Sequence, residues 1–458
     1  MDSKRRHVCR NHAVWLGAFA IASCGLDNRG IDPPPGKINF PVSVVLSQEA
    51  GAAPNFLFVA NANFDLRYNA GTVQSFDLRA LEPAVNACAG TKECTIATEP
   101  GASGASALVP PVGEVRIGAY SSAMRLDPAG KALYVTVRSN SDLSWIEVDP
   151  ASGALNCGAA APGQDCDSAH SEVDRSIAES KKKTFPTDPV GLHIASLREF
   201  GLEPGDARLL LMAHRGGAAS LLVDFDDPAP PFLLDVQEQI SEDLQNITFD
   251  PAFGIAWLPS GRRPQIARVG VGLDSETTDL SQAYLYDAGL LTVTGVDTGE
   301  TTSGDTRALR LDPRPGSRKA YVISRRPEAL LQVNRTGSGE GRLVVETIVD
   351  VGAGPSRLEL VNLRTRMVAL ISCFDSRDIY LIDVDQGSVL GVVRGMSGPF
   401  EIAVDAQRER IYVADFRASA IRFIDLRPLL DCLDGGFGDC SPQILATLGV
   451  PRPVRELR

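Results

Sequence analysis

The chain has 458 residues, of which 44% are hydrophobic, 22% charged and 6% aromatic, with 42 glycines and 30 prolines. That balance excludes a disordered, collagen-like or coiled-coil molecule, and the length fits several domains or one large repeat domain. With 45 basic against 57 acidic residues, net −12, a general nucleic-acid binder is excluded as well, because phosphate contacts need a basic surface.

At the N-terminus, Lys4, Arg5, Arg6 and Arg10 precede an 11-residue apolar run, AVWLGAFAIAS at 13–23. Such a core is too short to span a bilayer comfortably and has the size of a signal-peptide core. It runs into Ile21-Ala22-Ser23-Cys24, which resembles the bacterial lipobox. The resemblance implies cleavage after residue 23 and diacylation of Cys24, an anchor that one acyl chain alone would not secure. The competing reading is a plain secretory signal, or a weak anchor, with an incidental cysteine. Gly25 after the cysteine, by resemblance to enteric sorting, directs the product to the outer membrane of the bacterial envelope. Loss of residues 1–23 would leave 41 basic and 56 acidic residues, net −15. Residues 24–40 then read as lipidated cysteine and Pro-rich tether, extended and poor at packing, since GLDNRGIDPPPGK (25–37) carries three consecutive prolines.

Nine cysteines occur; Cys9 leaves with the leader. Six others form close pairs in Gly- and Ala-rich loops: Cys88/Cys94, Cys157/Cys166 and Cys432/Cys440. Neither CxxC spacing nor nearby histidines accompany them, so zinc is disfavoured and three local disulfides are expected. Each would stabilise its loop by ~2–3 kcal/mol at most. Cys373, inside an apolar strand, reads as a buried inert thiol.

From residue 41 onward a two-strand module recurs. RIYVADFRASAIRFIDLR (410–427) aligns without a gap on VALISCFDSRDIYLIDVD (368–385), and related pairs occur at 56–79, 133–149, 209–224 and 320–334. A preceding strand ends in an Asp-Pro turn at Asp127-Pro128, Asp250-Pro251 and Asp312-Pro313. Asp first and Pro second suit a type I turn, the Asp side chain accepting from turn amides. A fourth strand follows, as at 388–393 and 444–448. The strands are apolar on both faces, which fits sheets packed between neighbours. Four strands per 42–50 residues is the pattern of a β-propeller. The expected architecture is therefore all-β, a propeller of seven four-stranded blades over 41–450, near 41–118, 119–186, 187–240, 243–300, 303–352, 353–397 and 398–450, with a tail at 451–458. The fourth blade matches most loosely, and six or eight blades are the alternatives.

Phe58-Val59-Ala60-Asn61, Leu133-Tyr134-Val135-Thr136 and Ile411-Tyr412-Val413-Ala414-Asp415, each followed by a strand ending near Ile-Asp, resemble the YVTN-type propeller repeat. They are also similar to the lactonase-like propellers that share this blade. The resemblance covers most of 41–450, but the strict tetrapeptide never appears whole. It implies blade architecture and carries little about chemistry, because propellers host many unrelated activities.

All three disulfides are expected between third and fourth strands, on the face of the Asp-Pro turns. The opposite face, with the loops between second and third strands and the blade-to-blade linkers, is the usual ligand-facing surface of the family. It would hold Arg138, His214, Arg215, Arg325, Arg326, Arg377 and Arg417, a cluster able to attract an anionic glycan or an acidic loop of an envelope protein. The competing reading is a solvated surface whose arginines pair with acids such as Asp142, Glu328, Asp375 and Asp415. His170, beside Asp165, Asp167 and Glu172, reads as part of a solvated acidic loop, and His193 as a core or channel histidine. Lys181-Lys182-Lys183 reads as a solvated charge run. GxSxG, HExxH, CxxCH and P-loop motifs are absent. No catalytic residue, metal or cofactor is expected. The functional expectation is a lipid-tethered, non-catalytic binding or scaffolding propeller for protein or anionic glycan partners, with no nucleic acid. The alternatives are a lactonase-like or glycan-cleaving enzyme, or an accessory lipoprotein of an outer-membrane assembly machine.

Overall fold

The structure, a computed structural model, describes residues 30–452 apart from 48–51, 89–90, 92–93, 159–162, 164, 201–206, 226–228, 274–279, 295–303 and 336–341. The expected leader and Cys24 lie outside the described residues. Apolar residues on both faces of each strand need cover on both sides, and the second strands (Phe56–Asn61, Ala132–Val137, Arg208–His214, Arg410–Asp415) are buried along their whole length. The described strands form seven successive antiparallel units of four. The inner strands are Pro41–Leu46, Ser121–Leu126, Pro189–Ser196, Thr248–Asp250, Thr306–Leu311, Pro355–Leu363 and Pro399–Asp405. Each packs beside the next, and the last packs beside the first, so the units close into a ring around a central channel. The loosely matching fourth unit is present, from Thr248–Asp250 to Tyr284–Thr294.

The core is the set of seams between units. One apolar cluster joins Leu210, Met212 and Leu222 of the third unit to Tyr134 and Trp145 of the second. Another joins Tyr412, Phe423 and Leu448 of the last unit to Leu57, Val59 and Phe76 of the first, which is the ring's closure. That closure has a clasp: Thr95–Ala97, inserted in the first unit, pairs in parallel with the outer strand Gln443–Leu448 of the last. The Cys88–Cys94 disulfide lies immediately before the clasp.

The expected Asp-Pro turns form. Asp127 is fully buried and accepts from the amides of Lys131 (2.5 Å), Ala132 (2.8 Å) and Ala129 (3.2 Å). It also receives Arg208 of the next unit at 2.8 Å, so the turn is stapled across the seam. Arg335 to Asp250 repeats the device, and Arg314 to Asp385 (2.8 Å) and Arg410 to Glu82 (2.9 Å) are further ion pairs between units. The three disulfides form with the expected partners, Cys88–Cys94, Cys157–Cys166 and Cys432–Cys440, and Cys373 is free and buried.

Four expectations need correction. Cys157–Cys166 does not precede the fourth strand of its unit: a turn in which the Gly153 amide donates to the Asp149 carbonyl makes room for a two-residue strand, Leu155–Asn156, before Cys157. Cys432–Cys440 does not simply close a loop. Cys432 belongs to a short helix, Arg427–Leu433, that forms because Pro428 suits its first turn and Leu429 and Leu430 bury against the core. Cys440 is exposed, as is every residue of 434–441, so the bond ties a helix end to a surface segment, and Cys440 itself packs against no core. Lys181 and Lys183 are half-buried and not part of a freely solvated run. Their ammonium groups donate to the carbonyls of Leu234 (3.0 Å), Ser281 (3.0 Å) and Val236 (2.8 Å), satisfying backbone acceptors on a neighbouring strand and turn. Nor do residues 33–40 pack poorly. Gly36 donates to Glu114 (2.7 Å), Lys37 pairs with Glu99 (3.0 Å), and Ile38 is buried in the closing seam.

Removing the Asp127 carboxylate would leave buried amides without an acceptor and Arg208 without one of its counter-charges. Asp127→Ala should therefore lower unfolding stability by about 3–5 kcal/mol in urea melts. A loss no larger than that of an exposed turn variant such as Ser152→Ala would show that the staple contributes little.

Candidate functional site

The inner strands bound a central cavity of about 930 Å3. Its lining includes Ser47, Pro54, Leu126, Pro128 and Asp405 to Gln407, at the ends of the inner strands where they turn into the second strands. The cavity therefore opens toward the Asp-Pro turns, on the face opposite the expected arginine cluster. Phenylalanines gather at the other end of the inner strands: Phe416 lies 5.0 Å from Phe40, 5.4 Å from Phe64, 5.9 Å from Phe374 and 6.1 Å from Phe400, centroid to centroid.

Charge enters the cavity from four inner strands. Arg125 comes from the second unit, Arg310 from the fifth, Glu359 from the sixth and Glu401 from the seventh. Arg310 meets Glu359 at 2.6 Å, and Arg357 meets Glu401 at 3.1 Å while lying 4.3 Å over the ring of Phe400. Asp405 is neutralised by Arg408 at 2.7 Å. Burial opposes the charge on Arg310, but Glu359 and Glu401 outweigh it and hold its pKa above the ordinary value. Burial lowers the pKa of Arg357, with Glu401 opposing. Arg125 has no acidic partner among the described residues; its guanidinium donates to its neighbour's carbonyl, Met124 O, at 2.8 Å. One positive charge in the funnel is thus left over.

His193 faces the same cavity from the third unit, and its buried Nε2 has no hydrogen-bond partner among the described residues. Burial, reinforced by Arg125 and Arg310, lowers its pKa to about 3. The imidazole is therefore neutral at physiological pH. Of the funnel's polar groups only His193 stood out in the sequence. Arg125 and Arg310 carry a signal in the sequence: each sits two residues before a turn aspartate, in Met124-Arg125-Leu126-Asp127-Pro128 and Leu309-Arg310-Leu311-Asp312-Pro313. Arg357, Glu359 and Glu401 have none, because no turn marks their positions.

Of the six arginines expected on the linker face, three have an acid of their own. Arg138 pairs with Asp188, Arg215 with Asp243 (3.1 Å), and Arg325 with Asp375 (2.9 Å), which Arg417 also approaches at 3.9 Å. Arg417 stacks over Phe374 at 4.4 Å. Arg326, in a cis peptide bond to Pro327, and Arg377, at φ 67°, are exposed. His214 does not reach this surface: it is fully buried, with Nε2 2.9 Å from the Ser220 hydroxyl and Nδ1 3.3 Å from the Thr187 carbonyl. Burial lowers its pKa to about 4. His170 does not belong to a solvated loop either: it is buried on the short helix Ser168–Ser171 and stacks on Trp145 at 4.1 Å, with Nδ1 2.7 Å from Asp167. Burial pushes the Cys373 thiol up to about 12, consistent with an inert side chain. The disulfide cysteines, Cys440 included, do not line the cavity. Among the described residues no cluster of three or more His, Cys, Asp or Glu could hold a metal, and no helix is long and apolar enough to cross a membrane.

No family model and no curated protein matches the chain. Likeness appears in the fold. A Bacteroides fragilis protein provisionally described as a 6-phosphogluconolactonase superposes with TM-score 0.54 at 12% identity, over 91% of this chain and 98% of its own. The periplasmic gluconolactonase of Pseudomonas aeruginosa gives 0.49 at 14% identity, over 78% and 86%. The Swd1 β-propeller domain of Myceliophteria thermophila gives 0.47 at 11%, over 84% and 96%. The chain is an all-β propeller. At these identities the likeness speaks to fold and not to chemistry.

His193 and His214, both held neutral in the folded chain, make stability depend on pH. Unfolded, each imidazole takes a proton near pH 6.5; folded, His214 resists protonation to about pH 4 and His193 to about pH 3. The unfolded state therefore binds more protons as pH falls below 6.5, and stability falls with it. Urea melts should show a loss between pH 7 and pH 4.5 that is smaller in His193→Gln. An unchanged loss would mean that the imidazole is not held neutral.

Proposed function

We propose that this chain is a binding propeller that holds a small anionic ligand, of the sugar-acid class, in its central funnel, and that an acylated Cys24 tethers it to the bacterial envelope. The single supporting observation is Arg125, a cation facing the cavity without an acidic partner among the described residues while the funnel's other charges are matched. A low-dielectric cleft lined by surplus charge of one sign concentrates the opposite ion. The cavity volume of about 930 Å3 is within the range of small-molecule sites. His193, uncharged, offers a ring nitrogen to a hydroxyl, and Glu359 and Glu401 offer further acceptors. The anionic partner expected from the sequence is retained in this reading, and its place moves from the outer arginine face to the axis.

Binding is favoured over turnover because the funnel's neutral base is weak. A general base works best with a pKa near the operating pH, and that of His193 is about 3. Both glutamates are engaged by arginines. Hydrolysis of a sugar lactone is the second reading, favoured by the juxtaposition of an uncharged imidazole with guanidinium groups able to polarise a carbonyl.

Calorimetric titration with gluconate, 6-phosphogluconate and glucuronate should show salt-sensitive binding of at least one of them. Arg125→Ala should weaken it by about 10- to 100-fold, the worth of a hydrogen bond to a charged group. Absence of binding by all three would overturn the reading. Arg125-dependent hydrolysis of the corresponding lactones would replace it with the enzymatic one. Separately, Cys24→Ala should release the protein into the soluble periplasmic fraction; retention on membranes would overturn the tether.

A further inference from the structure

The described chain begins at a place that orients the molecule. The carbonyl of Ile31 accepts from the Asn69 amide at 2.9 Å, and Asp32 accepts from the Asn69 side chain at 2.8 Å and pairs with Arg116 at 3.0 Å. Gly30 is therefore pinned beside the 62–70 loop, between the second and third strands of the first unit. That loop is on the linker face, opposite the funnel mouth. Only residues 25–29 separate Gly30 from Cys24. Six steps of chain reach about 20 Å when fully extended, so a lipid on Cys24 would hold this corner within about 20 Å of the bilayer.

Large apolar side chains are exposed at that corner. Ile31 is 69% exposed, Leu66 57% and Phe64 52%. Phe64 is held by rings on three sides: Phe416 at 5.4 Å, Tyr120 at 5.7 Å and Phe40 at 6.0 Å. The nearby carboxylate of Asp65 is met by Arg452 at 3.1 Å, so that negative charge beside the apolar group is matched. An apolar corner whose adjacent carboxylate is matched, next to an acyl chain, suits partial burial at the headgroup boundary.

We propose that Ile31, Phe64 and Leu66 form a membrane-seating patch that enters the phospholipid interface, turning the linker face toward the bilayer and the funnel mouth toward the aqueous side. The proposal rests on the acylated Cys24 reading. With this seating, ligand reaches Arg125 and His193 while the protein remains membrane-bound.

The test uses the mature acylated protein, reconstituted in vesicles of phosphatidylethanolamine and phosphatidylglycerol that contain nitroxide-labelled lipid. Fluorophores are placed singly at Arg67→Cys, beside the patch, and at Lys131→Cys, in the turn at the funnel mouth. Quenching should be several-fold stronger at 67 than at 131, and Phe64→Ser with Leu66→Ser should abolish the difference while the protein still floats with the vesicles. Equal quenching at the two positions, in protein whose Cys24 carries its acyl mass, would overturn the patch and leave the anchor standing. A mature chain without that mass would overturn both.

Discussion

Each sheet of this molecule has two apolar faces, and that requirement for double cover governs the rest. A four-stranded sheet with Ile411, Tyr412, Val413 and Phe423 on its surfaces cannot end in water on either side; it needs a neighbour before it and one after it. A linear stack would leave two bare ends. Closing the stack on itself removes both, and the seam between the last unit and the first is built of the same kind of side chains as the others. The parallel pairing of Thr95–Ala97 with Gln443–Leu448 adds backbone hydrogen bonds to a closure that apolar packing already dictates.

Once the ring closes, polarity is sorted by position. Aspartates at the turn ends of the inner strands are buried, so they must be satisfied, and the next unit supplies an arginine for two of them, Asp127 and Asp250. Pairs of this kind add less net stability than their Coulomb attraction suggests, because both ions are desolvated. Their effect is to fix how units meet: a guanidinium that must reach a carboxylate across the seam allows little sliding. Arg125 differs: it faces the channel with no acidic partner among the described residues, where the other described charges at the axis have one.

The two faces of the ring differ accordingly. The linker face joins aromatic rings, matched arginines and the entering chain, whereas the turn face opens onto the channel. Arg138, Arg215 and Arg325 look alike in sequence to the arginines of the channel, yet they are held by Asp188, Asp243 and Asp375, acids 28 to 50 residues distant in the chain. The surface expected to attract an anion has thus neutralised part of its charge internally.

The amino-acid sequence by itself determined the propeller, the Asp-Pro turns and the cysteine partners, because these depend on local signals: strands apolar on both faces, Asp and Pro at adjacent turn positions, and cysteines a few residues apart. What surrounds a cysteine was less legible: that Cys432 lies on a helix while Cys440 stands in solvent follows from Leu429 and Leu430 finding a place in the core. Nor could the sequence determine which charges stay free. That depends on contacts such as Arg310 with Glu359 and Arg325 with Asp375, 49 and 50 residues apart, which exist only after neighbouring units dock. The tertiary structure alone decided that Arg125, His193, Glu359 and Glu401 share one cavity, since they come from four different units and meet only where the ring leaves its axis open. It decided, too, that His214 is walled in and that Lys181 serves backbone carbonyls, outcomes set by burial that pattern along the chain does not encode.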